Sequence, residues 1–222
     1  MIGVILIVFL VFAVDWSRSW EVASTLDLRD LGVYAVILLV GIAISAYKWR
    51  LLSASIGFSY PYLFYVHRYL AGTFVNNFLP SIVGGDTYRA VSLGKKNGGR
   101  SEAAATVLID RYSGLVAMAF LAVVFSVMNI SMVTQYLLWS VLAVGAAVGV
   151  ALQFLFLPGK PWSVFALVQR CIPKKSARLG HALTTFHTSG MLKKGFVWGC
   201  LFAFAGVGLA NYVLFRALGV DV

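Results

Sequence analysis

Residues 132–157 read MVTQYLLWSVLAVGAAVGVALQFLFL, and none of them is Asp, Glu, Lys or Arg. A helix that crosses the hydrocarbon core of a bilayer, about 30 Å thick, needs roughly 20 mostly apolar residues. This stretch therefore predicts a transmembrane helix. Apolar stretches at 31–47, 103–128 and 195–218 predict three more spans, and the shorter run at 1–14 predicts a short first one.

The composition of the whole chain agrees with this interpretation. Of its 222 residues, 60% are hydrophobic and 12% are charged, whereas a soluble domain is roughly half apolar and about a quarter charged. We expect an all-α fold, a polytopic transmembrane helix bundle that forms a single domain over residues 1–222. It should have about five spans and one re-entrant or broken-helix element.

The basic residues lie between the apolar stretches. The formal net charge of +10 comes from 18 Lys and Arg against 8 Asp and Glu; seven of the bases fall within 48–102 and seven within 158–194. The second loop has no acid. Such loops are retained on the cytoplasmic side and attract anionic lipid headgroups. We therefore expect membrane lipids as partners, no nucleic acid, and a cytoplasmic basic loop at 158–194.

The segment 60–83 is apolar enough to cross the membrane, yet polar and helix-breaking residues interrupt it. These are His67, Arg68, Asn76, Asn77 and Pro80, with Gly84 and Gly85 directly after the segment. Both flanks are basic, so a complete crossing would place one basic flank outside. Two re-entrant half-helices that enter and leave on one side fit the charges better. A complete crossing remains the alternative.

A candidate anion site follows this segment. Gly84 and Gly85 permit a tight turn, and Asp86 is a suitable N-cap for a helix that runs through Arg89. Asp86 and Arg89 share a helix face because they are three residues apart. The free N–H groups and positive dipole end of a helix start, together with Arg89, suit a lipid phosphate. In the alternative, Asp86 only caps the helix and Arg89 reaches toward headgroups.

The adjacent pair Asp110 and Arg111 lies inside a predicted span, where each charge costs roughly 2.5 to 3.5 kcal/mol at the helix centre. Neighbouring residues point about 100° apart on a helix, so these two need partners elsewhere. We predict Arg68 or Arg89 for Asp110, and Asp86 for Arg111, which would tie this span to the re-entrant element. An ion-pair clasp between helices and a substrate-lining role both remain open.

Two further patterns concern helix ends and helix packing. Lys48, Trp49 and Arg50 are predicted to mark the cytoplasmic end of the second span, with Trp49 at the interface. The Gly-x-x-x-Gly spacings at 145–149 and 195–199 permit close helix approach, and we interpret them as packing contacts.

Patterns that would indicate a metal site or an enzyme are missing from the sequence. His67, His181 and His187 have no Cys or carboxylate at ligand spacing, and the two Cys lie far apart. The chain contains no Gly-x-Ser-x-Gly, phosphate-loop or dinucleotide-binding pattern. We expect no cofactor, no metal and no catalytic residues.

The polar motifs together resemble the flippase-like transmembrane domain, also called the lysylphosphatidylglycerol synthase transmembrane region. The order and spacing match across roughly 48–128, and hydropathy agrees over the rest. The matching features are YKWR at 47–50, NNFLP at 76–80, GGD at 84–86, Arg89, AAA at 103–105, DR at 110–111 and GL at 114–115.

The resemblance implies a polytopic protein of the inner, cytoplasmic membrane of a prokaryote that handles lipid or lipid-linked substrates. The best-known relatives translocate aminoacylated phospholipid between leaflets. Family members are usually longer and carry a second Pro/Gly-rich element ending in a Gly-Arg-Glu-type motif, so the resemblance also implies that this chain is a fragment. The aminoacyl-transferase domain of the synthase relatives is absent from the sequence, and we expect no enzymatic activity.

Our leading hypothesis is a lipid flippase whose broken element and Asp110–Arg111 pair line a hydrophilic pocket for an anionic headgroup. The predicted substrate-binding residues are Arg68, Asn76, Asn77, Gly84, Gly85, Asp86, Arg89, Asp110 and Arg111. It predicts that Arg89→Ala and Asp110→Ala abolish translocation in a protein that still folds. The alternative is a non-transporting membrane partner that docks an envelope-lipid or glycan enzyme through its basic loop.

Overall fold

The computed structural model describes residues 12, 14–78, 83–95, 99–130, 134–156, 185–186 and 189–219. Every regular element in these ranges is helical, which confirms the predicted all-α class. Successive helices are α1 (Trp16–Ser24), α2 (Leu28–Ala54), α3 (Tyr62–Phe78), α4 (Val83–Gly94), α5 (Arg100–Met128), α6 (Gln135–Phe156) and α7 (Met191–Ala217).

Three of these helices, α2, α5 and α7, are long and apolar enough to cross a bilayer. They coincide with the predicted spans at 31–47, 103–128 and 195–218, and each is longer than predicted. Where the fourth span is predicted, α6 contains the shorter apolar helix Leu137–Leu152. Most of the predicted first span, 1–14, and of the predicted loop, 158–194, lies outside the described residues.

Helix α2 begins at an N-cap and packs into the bundle through its second half. The Asp27 side chain accepts a hydrogen bond from the Arg29 backbone N–H at 3.1 Å, which satisfies one of the free donors of the first turn. The buried residues of α2 lie from Gly41 onward. Large apolar side chains nearer its start, including Leu39 and Val36, are exposed, as expected of a lipid-facing surface.

Helix α2 does not end at residues 48–50, where the sequence predicts the end of this span. The helix continues to Ala54, and Trp49 is completely buried instead of lying at an interface. Its indole Nε1–H donates to Thr106 Oγ1 on α5 at 2.9 Å, so the ring has a polar partner inside the protein. Lys48 and Trp49 of the Lys-Trp-Arg pattern therefore make contacts between helices, and the position of the membrane boundary stays a prediction.

Helices α3 and α4 form an antiparallel hairpin. Gly72 of α3 faces Gly85 of α4 so closely that a Cβ on Gly85 would collide with the Gly72 carbonyl oxygen. The far ends of both helices meet the same end of the bundle, since Tyr65 bonds to Phe58 just after α2 and Gly94 contacts Arg100 at the start of α5. The sequence predicts two half-helices within 60–83, whereas one helix lies in that range and the second follows it over Val83–Gly94; whether the hairpin is re-entrant stays a prediction.

Helix α7 packs against α5 along the Gly195/Gly199 spacing. A Cβ on Gly199 would lie 3.0 Å from the Ala117 Cβ and 3.0 Å from the Ser113 carbonyl oxygen, so the two backbones approach closely. The predicted packing role is confirmed for this pair. The other spacing differs, because Gly149 has open space where a Cβ would stand.

In its middle, α7 changes to a π-helix over Phe202–Gly208. There Gly206 crosses Gly41 of α2, and a Cβ on Gly206 would lie 2.9 Å from the Gly41 Cα. Backbones that cross this closely leave no room for side chains, which explains Gly at both positions. Together, α5 and α7 hold α2 in place beside the hairpin.

Candidate functional site

Five charged side chains from α2, α4 and α5 meet where the hairpin contacts the bundle. We call them the charge cluster: Lys48, Asp86, Arg89, Asp110 and Arg111. The three bases and two acids give the cluster a formal charge of +1, because 3 − 2 = 1. Each acid is paired with two bases, so the cluster has a buried half around Asp110 and an accessible half around Asp86.

Asp110 is the centre of the buried half. Its Oδ2 accepts a hydrogen bond from Arg89 Nη2 at 2.8 Å, and its Oδ1 lies 3.0 Å from Lys48 Nζ. The Lys48 ammonium donates its hydrogen bond to the backbone carbonyl oxygen of Asp110 at 2.8 Å. All three side chains are at most 4% exposed. A buried carboxylate is stable only with such cationic partners. The cations depend on the carboxylate in turn, because its removal would leave two positive charges buried in the protein.

Arg89 is also enclosed by two aromatic rings. Its guanidinium carbon lies 4.3 Å from the centroid of Trp49 and 4.1 Å from that of Tyr69. Cations over ring faces are attracted by the ring quadrupole, and more strongly when water is excluded. Within the described part of the chain, Arg89 Nε is buried and has no hydrogen-bond partner. Packing and charge pairing together fix this side chain.

The accessible half is the pair Asp86 and Arg111. Arg111 donates from Nε to Asp86 Oδ2 at 2.8 Å and from Nη2 to Asp86 Oδ1 at 3.0 Å, which is the bidentate fork geometry. Asp86 also lies 3.4 Å from Arg89 Nη1, a longer contact within α4. The Asp86 side chain is 20% exposed and that of Arg111 is 45% exposed.

Arg111 stands on an exposed apolar stripe of α5. Leu108 and Leu115, three residues before it and four after it, are 55% and 61% exposed, so they share its helix face. Arg111 follows the first residue of α5 by eleven positions, or about 17 Å along a helix of about 44 Å. The Arg111 guanidinium therefore lies between two exposed leucines on a helix that is long and apolar enough to span a membrane.

Most of the nine predicted site residues are brought together around the hairpin. Asp110 pairs with Arg89 and Arg111 with Asp86, as predicted. Asn76 Oδ1 accepts a hydrogen bond from the Gly85 backbone N–H at 2.7 Å, which stabilises the tip of the hairpin. Gly84 and Asn77 belong to α4 and α3, and the Asn77 side chain lies outside the described part of the structure. Whether these residues bind a substrate stays a prediction.

Two predicted details are different in the structure. Asp86 is not an N-cap, because α4 already begins at Val83 and the Asp86 carboxylate is taken up by Arg111 and Arg89. Arg68 does not join Asp110. It donates to the Tyr88 hydroxyl and packs over the Phe64 and Tyr88 rings, and so it braces the hairpin from inside.

Among the residues that the structure describes, no group of three or more His, Cys, Asp or Glu side chains is arranged to hold a metal ion. The cluster offers two carboxylates, both held by bases, and three cations. With three cations for two carboxylates, the cluster suits an anion better than a cation.

Comparison with known families decides the classification. The family model described as the lysylphosphatidylglycerol synthase transmembrane region matches residues 1–222, which is the whole chain. The chain belongs to this family. No curated protein and no solved structure matches it.

The sequence motifs on which the resemblance to the lysylphosphatidylglycerol synthase transmembrane family rests converge in space. Lys48 and Trp49 from the first motif, Asp86 and Arg89 from the second, and Asp110 from the third meet at the charge cluster. Sequence reasoning about burial missed Lys48, because a Lys after an apolar run normally marks a span end. The signal that could have indicated Lys48 is Asp110 itself, because a carboxylate inside a predicted span needs cations as partners and Lys48 is a second one beside Arg89.

Proposed function

We propose that the chain binds the anionic headgroup of a membrane lipid at Arg111 and moves the lipid between the leaflets of the cytoplasmic membrane of a prokaryote. The observation that carries the proposal is the 45% exposure of Arg111 on a helix that is long and apolar enough to span a membrane. Membership in a lipid-related membrane family supports it.

The position of Arg111 favours a ligand that arrives from the bilayer. A charge exposed to hydrocarbon costs roughly 2.5 to 3.5 kcal/mol at a helix centre unless water or a polar partner meets it. Leu108 and Leu115 on the same face fit acyl chains, while the guanidinium fits a phosphate oxygen pair. A lipid satisfies both surfaces at once, whereas a free polar solute leaves the leucines uncovered.

The charge of the cluster favours a single negative charge on the ligand. The accessible pair of Asp86 and Arg111 is neutral, whereas the buried half has two cations for one carboxylate, so one positive charge remains over the whole cluster. A lipid phosphodiester carries one negative charge and would neutralise it. The two helices of the hairpin extend from the basic end of the bundle, which is predicted to be cytoplasmic. Through α4 they place Asp86 and Arg89 beside Arg111.

The test is translocation in reconstituted vesicles. Headgroup-labelled phosphatidylglycerol is followed as it becomes protected from, or exposed to, a membrane-impermeant quencher. Arg111→Gln is expected to slow translocation about tenfold or more, the effect of losing roughly 1.4 kcal/mol of headgroup stabilisation. Arg216→Gln is the matched control, because Arg216 is exposed at the end of α7 and outside the cluster.

The two variants make the result specific. Equal reduction in both would indicate a general effect of charge, and unchanged translocation by Arg111→Gln would refute the proposal. Lipid movement no faster than in protein-free vesicles would leave the binding role without a transport function.

A further inference from the structure

The fork of Arg111 that suits a phosphate is already occupied by a side chain of the protein. Asp86 places its two oxygens 2.8 Å and 3.0 Å from Nε and Nη2, the same paired contacts that a phosphate would make. A ligand anion therefore cannot use this edge of Arg111 while Asp86 remains there.

Asp86 has a second cation within its reach. Arg89 Nη1 lies 3.4 Å from Asp86 Oδ1, a contact long enough to shorten when the Arg111 bonds break. Asp86 can thus leave Arg111 without becoming an unpaired charge at membrane depth, which would be costly. The two side chains that separate, Asp86 and Arg111, are 20% and 45% exposed, while the buried Arg89 stays in place, so the exchange requires no opening of the bundle.

The buried half of the cluster does not permit the same exchange. Asp110 is held by Arg89 and Lys48 and is only 2% exposed. If it moved away, Lys48 would lose its carboxylate partner inside the protein, and Arg89 would keep only its longer contact to Asp86. Only the Asp86–Arg111 pair combines accessibility with an alternative partner.

We propose that Asp86 is a built-in competitor that keeps the Arg111 anion site closed until a phosphate group displaces it onto Arg89. The inference rests on the proposed function and names its regulation. The ligand chemistry is a phosphodiester or phosphate monoester. Displacement places the phosphate on Arg111 and Asp86 on Arg89, which Asp86 shares with Asp110, while Asp110 also keeps Lys48.

The experiment measures binding of short-chain phosphatidylglycerol to the purified chain in an uncharged detergent. Asp86→Asn removes the competitor and is expected to tighten binding about fivefold to tenfold, the effect of one partly exposed charge pair. Arg111→Gln is expected to weaken binding. The double variant should behave like Arg111→Gln, because a competitor acts only through the group for which it competes.

Asp30→Asn is the matched control for the change of charge. Asp30 lies in the first turn of α2, away from the cluster, and its loss raises the net charge by the same amount. Tightening by Asp86→Asn alone supports the inference. Binding that is unchanged or weaker in Asp86→Asn overturns it, as does equal tightening in Asp30→Asn or in the double variant.

Two further arms complete the design. Glycerol phosphate and inorganic phosphate are measured beside phosphatidylglycerol. Tighter binding of the lipid assigns the site to a lipid headgroup, and equal binding overturns the proposal that the phosphate belongs to a lipid.

If Asp86→Asn is not recovered as a monodisperse folded protein, Asp86→Ser replaces it, since Ser also lacks the charge and has a helix propensity close to that of Asn. Because binding is measured without transport, failure of lipid movement in vesicles rejects the proposed function independently of this comparison.

Discussion

Asp110 on α5 accepts a hydrogen bond from Arg89 on α4, with 2.8 Å between Oδ2 and Nη2, and neither side chain is more than 3% exposed. The pair joins the hairpin to a spanning helix from inside the protein. The main role of this pair is therefore to hold two helices together. Because both side chains are buried, a ligand can act on them only through neighbouring residues. Substitutions here should act on the fold before they act on binding.

Asp110→Asn is expected to destabilise the protein strongly. It leaves the buried Lys48 without a carboxylate and the buried Arg89 with only the longer 3.4 Å contact to Asp86, and breaking a buried ion pair typically costs about 3 to 5 kcal/mol. The measurement is thermal unfolding in detergent, followed by the loss of monodisperse protein on size exclusion. Asp30→Asn, which removes an acid outside the cluster, should unfold like the wild type. Equal stability of both variants would contradict the clasp.

This expectation changes the interpretation of Arg89→Ala and Asp110→Ala. The sequence suggests that both variants fold and lose only translocation, because nothing in it shows how deeply the two residues are buried. The structure places them in the interior, where truncation removes packing as well as charge. Arg111→Gln is the cleaner probe of ligand binding, since its side chain is 45% exposed.

Gly85→Ala is expected to disrupt the hairpin. The new Cβ would collide with the Gly72 carbonyl oxygen and approach Asn76 Oδ1, the acceptor for the Gly85 N–H. Overpacking costs about 1 to 3 kcal/mol when side chains adjust, and backbone yields less readily. Gly149→Ala is the control: it meets open space on α6 and should be neutral or more stable by roughly 0.5 to 1 kcal/mol. Comparable melting temperatures would argue against the close crossing.

Much of the fold is predictable from the sequence because apolar length dominates it. Long apolar runs with few or no charges, at 31–47, 103–128 and 195–218, predict α2, α5 and α7. The helix ends were less predictable. A Lys or Trp is read as a membrane boundary, yet Lys48 and Trp49 are buried by partners from α5 that lie about 60 positions away in the chain.

The candidate site was predictable where elementary electrostatics left few choices. Asp110 and Arg111 are neighbours that cannot pair with each other on a helix, so each required an opposite charge from another element. Few such charges exist in a chain with 12% charged residues, and Arg89 and Asp86 were among them. The aromatic enclosure of Arg89 by Trp49 and Tyr69 was not predictable, because it depends on helix rotation.

Gly206→Ala is expected to separate α2 from α7. Its Cβ would lie 2.9 Å from the Gly41 Cα and 3.0 Å from the Phe202 ring, so two backbones must move apart at an estimated cost of about 1 to 3 kcal/mol. Gly208→Ala lies in the same π-helical segment, but its nearest contact, the Ala203 carbonyl oxygen, is at an ordinary 3.5 Å. Thermal unfolding should show a loss of stability for Gly206→Ala alone, and equal losses would indicate that the π-helix itself is sensitive.

Lys48→Met is expected to cost less stability than Asp110→Asn, because Asp110 keeps Arg89 when the ammonium is removed and Met fills a similar volume. The loss should be about 1 to 3 kcal/mol, mainly from a carboxylate with one buried partner fewer. The change also lowers the formal charge of the cluster from +1 to 0.

Binding of short-chain phosphatidylglycerol should therefore weaken in Lys48→Met, although Lys48 is only 4% exposed and the ligand does not touch it. The field of a buried charge is poorly screened, so its removal is felt at Arg111. Lys194→Met is the control, since it removes a basic charge from the first turn of α7 and should leave affinity unchanged. Equal weakening by both would show that the net charge of the chain, and not the charge cluster, sets the affinity for the lipid.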